Sequence, residues 1–201
     1  ELILTKNDEY WDGSPRLEQL ELVDIPETSA RLTALRTGEI DIAWTIPPDQ
    51  ISELEGISDV VLNEEPSYLY YFLWCNSSRQ PFDDVRVRRA MWHAIDIESI
   101  VTDLFSGSAE TLKAPIPSPV IGYSEQKLYE YNPELAKKLL TEAGYPDGFS
   151  TTLMWDRAGG PQILQLADTI RSQWAEIGID VEPLQFERAQ WLEKLLALDW
   201  D

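Results

Sequence analysis

Apolar positions recur along this chain with two different periods, and the two periods take turns. Leu2, Ile3 and Leu4 open a strand, and Leu20, Leu22 and Ile25, set among acids between 17 and 25, predict a second one that Pro26 ends. Thr28 to Thr37 has helical spacing with Leu32 and Leu35 turned inward, and Gly38 stops it. Alternation returns over Glu39 to Trp44 and predicts a strand broken by Pro47 and Pro48. Asp49 is then expected to cap a short helix carrying Ile51 and Leu54, and Val60 to Leu62 a further strand. The stretch Ser67 to Cys75 is the most aromatic of all. On a strand, Tyr68, Tyr70, Phe72 and Trp74 would share one face, with Tyr71 on the other.

After a loop at 76–80, Asp83 or Asp84 is placed to cap a helix from Val85 to about Ile95, with Val87, Met91, Ala94 and Ile95 as its buried stripe. Asp96 caps a second helix through Phe105, closed by Gly107. Prolines 115, 117 and 119 exclude helix and central strand from 114–122. Asn132 and Pro133 start a helix that buries Leu135, Leu139, Leu140 and Ala143 and stops at Gly144. Thr151 to Trp155 is a strand, 157–161 an exposed loop, Ile163 to Ile177 a long helix with Leu166, Ile170, Trp174 and Ile177 inside, Ile179 to Glu182 a strand, and Arg188 to Ala197 a last helix. Strands alternating with helices predict an α/β layer structure.

Composition narrows the function. At 201 residues and 43% hydrophobic, the chain can bury a core. No apolar run reaches the roughly 18 residues of a membrane span. No signal peptide opens it and both ends fall inside a pattern, so an excised piece of a longer protein is expected. A net charge of −20 repels phosphate backbones and anionic lipid heads, which argues against nucleic acid and membrane surfaces as partners. The acids are spread along the chain, and that fits either plain solubility or a surface adapted to high salt.

Reactive constellations are scarce. With Cys75 the single cysteine and His93 the single histidine, neither a disulfide nor a Cys/His zinc site can be built, and no metal or cofactor is expected. Cys75 follows Leu73 and Trp74 and is expected to be a buried, inert thiol. His93 lies within a helix, no Gly-x-Ser-x-Gly elbow exists, and no glycine-rich phosphate loop is present. Among the carboxylate pairs, Asp83/Asp84 are explained by capping, while Glu64/Glu65 and Asp199/Asp201 are expected to be solvated. The basic cluster Arg86, Arg88 and Arg89 can pair with those helix-opening acids. No catalytic residue is assigned.

The aromatic residues are harder to dismiss. Packing explains most, Trp174 among them. Trp44, however, sits where a strand meets Pro47 and Pro48, and the Tyr68 to Trp74 face is aromatic throughout. Aromatic walls with polar tips hold small ligands, although core burial is the commoner fate of each ring taken alone. The candidate ligand-binding residues are therefore Trp44, Tyr68, Tyr70, Phe72 and Trp74.

Several motifs then fall in one order: Tyr10-Trp11-Asp12-Gly13 with Pro15; Leu35-Arg36-Thr37-Gly38-Glu39-Ile40-Asp41; Asn76 with Gln80-Pro81-Phe82-Asp83-Asp84-Val85-Arg86-Val87-Arg88-Arg89-Ala90; Glu142-Ala143-Gly144-Tyr145-Pro146-Asp147-Gly148-Phe149; and Ile177-Gly178-Ile179. Together they resemble the peptide/nickel class of extracellular solute-binding proteins, family 5, over nearly the whole chain. The resemblance implies an α/β fragment of a two-lobe, type II clamshell fold, with residues 1–67 part of the first lobe and 68–201 most of the second. It implies that the segment near 68–76 crosses between lobes and lines the ligand cleft, with Trp44 reaching the ligand from the first lobe. It also implies a monomeric ABC-importer receptor outside the membrane, lipid-anchored in the full protein, with a di- or oligopeptide as default solute and permease subunits as partner. In peptide binders of this kind an aspartate beyond Asp201 would meet the ligand's amino terminus. A sensor domain of a regulatory protein is the alternative and an enzyme the third reading, since fold alone does not decide function.

Overall fold

The computed structural model describes the backbone of residues 1–65, 68 and 70–201. The chain forms two compact units, Glu1–Asn63 and Glu64–Asp201.

In the first unit, β1 (Leu2–Thr5) and β2 (Gln19–Leu22) pair antiparallel, Leu2 opposite Leu22 and Thr5 opposite Gln19. Helix α1 spans Thr28–Thr37 and buries Leu32 and Ala34, with Leu35 half-buried. Gly38 ends it at φ 73°, a left-handed conformation open to a residue without Cβ. A 3-10 turn over Pro48–Glu53 follows and brings Leu54 into full burial.

Three expectations fail in this unit. Glu39 to Trp44 and Val60 to Leu62 are not strands. Ile42 is 69% and Val61 91% exposed, so neither segment turns these side chains into a core. A strand needs a hydrogen-bonding neighbour as well as a pattern, and among the described residues none pairs with either segment. Asp49 does not cap: the turn starts one residue earlier, after Pro47, because proline's fixed φ suits a first helical turn.

The second unit carries the larger core. Helix α2 (Val85–His93) starts at Asp84, whose carboxylate accepts the N–H of Arg86 at 2.7 Å. Its stripe of Val87, Met91, Ala94 and Ile95 is buried as the spacing requires, with Ala90 added. Asp96 caps α3 (Ile97–Ser99), which continues as a π turn through Leu104. Helix α4 (Pro133–Glu142) is capped by Asn132 and packs on α2, burying Ala136 and Leu140; Leu135 and Leu139 are half-buried.

Strands β3 (Phe149–Asp156) and β4 (Ile179–Phe186) pair in parallel, from Phe149 opposite Ile179 to Asp156 opposite Phe186. Helix α5 (Gly160–Ala175) connects them, as parallel neighbours require. The expected loop at 157–161 is instead a 3-10 turn running into α5; a proline in the first turn is compatible with a helix start. Gly148, just before β3, has φ 80°, and a Cβ there would lie 1.8 Å from the Gly178 carbonyl oxygen, so the two strand starts can meet only at a glycine. Trp174 of α5 is 4% exposed and its indole N–H donates to the Met91 carbonyl at 2.9 Å, joining α5 to α2. Helix α6 (Arg188–Leu196) packs against both strands.

Candidate functional site

Residues 70–75 have no strand partner among those described, which corrects the expected strand, yet Tyr70, Phe72 and Trp74 still neighbour one another. Tyr70, Phe72 and Trp74 are 37%, 52% and 54% exposed. Their rings follow one another at 5.4 and 4.7 Å between centroids. Of the intervening residues, Leu73 and Cys75 turn inward, while Tyr71 is itself 40% exposed. Tyr71 meets Phe105 at 5.8 Å, and Leu73 and Cys75 pack on the core. The core side therefore fixes the segment and leaves an aromatic row outside. Tyr68 is 66% exposed and makes no ring contact with the row; Ser67 and Leu69 lie outside the described residues.

The row has one further member that sequence reasoning missed. Trp200 stands 6.2 Å from Trp74, half-buried, with its indole N–H on the Leu195 carbonyl at 3.2 Å. Its signal was a lone tryptophan between two aspartates.

Polar residues tie this segment down. The Asn76 N–H donates to the Asp201 carbonyl at 3.1 Å, and the Asn76 amide donates to the Trp200 carbonyl at 3.0 Å. Asp201 is not simply solvated, contrary to the expectation from sequence. Its Oδ2 accepts from the Thr152 N–H at 2.9 Å, the Thr152 hydroxyl at 2.7 Å and the Thr151 hydroxyl at 3.2 Å. Asp199 keeps to the surface and pairs with Lys194 at 2.7 Å. Both carboxylates lie 3.8 Å from the Arg79 guanidinium. Leu73, Trp74, Thr151, Thr152 and Asp201 thus border one shallow recess.

Trp44 belongs to the first unit and is 63% exposed. It precedes Thr45, whose φ is 61°.

The reactive residues have structural occupations. Asp84 binds Arg86 side chain to side chain, and this contact holds its carboxyl down at about 2. Arg86 also donates to the Glu142 carbonyl at 2.6 Å, so the arginine joins the start of α2 to the end of α4. Arg88 donates to the carbonyls of Phe82 and Asp83. His93 is the last residue of α2; it is buried, with Nδ1 donating to the Glu130 carbonyl at 2.7 Å. Burial pushes the Cys75 thiol up, with Arg88 pulling weakly the other way. Among the described residues no three His, Cys, Asp or Glu side chains converge as a metal site.

The mixed α/β arrangement is that of a periplasmic binding protein. It superimposes on the ABC transporter-associated periplasmic binding protein DppA from Helicobacter pylori in complex with the peptide STSA, with a TM-score of 0.83 and 33% identity, covering 96% of this chain and 37% of that one. The family described as bacterial extracellular solute-binding proteins, family 5 Middle, matches residues 1–201, and the chain belongs to it. Among curated relatives, heme-binding protein A of Haemophilus influenzae is 30% identical over 94% of this chain and 35% of its own length. The dipeptide-binding protein of Escherichia coli is 30% identical over 93% of this chain and 36% of its own length. The chain therefore spans little more than a third of the relatives it matches.

Proposed function

We propose that this chain is the central part of a substrate-binding receptor of an ABC importer, which captures a small solute, a di- or oligopeptide by preference, outside the membrane and delivers it to the permease subunits. The observation that carries the reading is the family match through every residue from 1 to 201, with relatives that include a dipeptide-binding protein and a peptide-bound periplasmic one. Residues 1–67 are assigned to the first lobe and 68–201 to the second. The division into compact units at Asn63 and Glu64, a few residues earlier, supports that assignment.

Tyr68, Tyr70, Phe72 and Trp74 from the second lobe, and Trp44 from the first, are the ligand-contacting residues in this reading. Exposed rings backed by a packed core favour such a role: they offer flat apolar area with polar tips at low cost in side-chain freedom. The receptor works as a monomer without catalysis or cofactor. The spread of 36 acids against 16 basic residues further supports a protein adapted to high salt.

Native mass spectrometry of the gently purified full-length protein tests the proposal. A co-purifying peptide series is expected. A sugar or heme would change the solute class. Absence of any retained solute, together with no change in tryptophan fluorescence on titration with peptide pools at high salt, would overturn the receptor reading.

A further inference from the structure

We infer that Arg31 is a positioning residue for Trp44, acting through a main-chain clamp on Thr45; the inference rests on the proposed role of Trp44 at the ligand. Arg31 lies on α1, and its guanidinium spans two segments that are far apart in sequence. One Nη donates to the Ile25 carbonyl at 2.9 Å, just after β2, and the other donates to the Thr45 carbonyl at 3.1 Å. Nε is shielded from solvent with no partner among the described residues.

What the clamp holds is unusual. Thr45 has φ 61°, the left-handed region that a β-branched residue rarely enters. Such a conformation persists when its surroundings over-determine it, and it clusters at functional positions. Nothing in regular structure supplies that determination, because 39–47 form neither helix nor strand. Arg31 does supply it. A guanidinium that gives one Nη–H to each of two carbonyls holds them at a set separation, and a lysine ammonium cannot bridge them in the same rigid way. The held carbonyl lies on the far side of Thr45 from Trp44, and with φ of Thr45 confined to the left-handed region the clamp limits the direction in which the 63%-exposed indole leaves the chain.

The test uses full-length protein carrying 5-fluorotryptophan, read by fluorine NMR. The Trp44 resonance is assigned by its loss in Trp44→Phe. In Arg31→Lys the Trp44 resonance is expected to shift or broaden while the remaining tryptophan signals stay in place. Adding Thr45→Asn is expected to restore it, because asparagine enters the left-handed region readily and needs no clamp. Packing of α1 alone would not produce that rescue. An unchanged Trp44 signal in Arg31→Lys, or a shift of all tryptophan signals together, would overturn the clamp. Failure of the ligand reading is a separate result: a Trp44 signal that answers to Arg31 and Thr45 but not to added Ser-Thr-Ser-Ala leaves the clamp standing and removes Trp44 as a contact for that peptide.

Discussion

The carboxylate of Asp201 accepts the main-chain N–H of Thr152 at 2.9 Å, across 49 positions of sequence. The same oxygen takes two threonine hydroxyls, and the Asp201 carbonyl receives the Asn76 N–H. One residue thereby ties the end of the aromatic segment to the edge of β3. Hydrogen bonds to a charged acceptor contribute about 1.5–3 kcal/mol each when partly buried, with losses partly offset by water once the site opens. Asp201→Ala in the full-length protein should therefore lower stability by about 1–3 kcal/mol in urea unfolding and loosen Trp74. Unchanged stability would show the contact to be incidental.

Asp84 gives a pH signature. Arg86 holds its folded-state value near 2, below the roughly 3.9 of an unperturbed aspartate. A depressed carboxylate stabilises the fold above its unfolded value and loses that contribution as pH falls towards its folded value. Stability should thus decline between about pH 4 and 2 in part through this group. Asp84→Asn should remove that part of the slope, with the rest of the acid transition unaltered, as followed by circular dichroism.

Trp174 lies where α5 meets α2, 4% exposed and hydrogen-bonded to Met91. Truncating a buried tryptophan typically costs about 3–5 kcal/mol. Trp174→Ala should cost that much. Trp174→Phe should cost less, leaving the Met91 carbonyl without its donor.

The net charge of −20 makes a salt prediction. At 1 M salt the screening length is about 3 Å, which removes most self-repulsion between surface acids. The thermal midpoint of the full-length protein should rise steadily between about 0.1 and 2 M potassium chloride, a range set by that screening. A flat or falling midpoint would contradict adaptation to salt.

The sequence made the second unit more legible than the first. The caps Asp84, Asp96 and Asn132 and the buried stripe of α2 stand where local chemistry puts them, because each depends on residues within one or two turns. Strands were harder. The segments of Ile42 and Val61 carry strand-forming residues but have no paired neighbour among the described residues, and pairing is a property of distant segments. The aromatic row shows both sides of this. Phe72 and Trp74 were legible because they stay neighbours without a ladder, whereas the roles of Trp200 and Asp201 depend on Trp74 and Thr152, far away in the chain.

The most direct measurement is isothermal titration of the full-length protein with the solute recovered from it, wild type beside Trp74→Ala. Trp74 is 54% exposed, so its loss should leave the thermal midpoint nearly unchanged. Affinity should fall at least about tenfold, the equivalent of roughly 1.4 kcal/mol expected when an aromatic contact is removed from a ligand. Equal affinity in the two proteins would contradict the aromatic row as the ligand's seat.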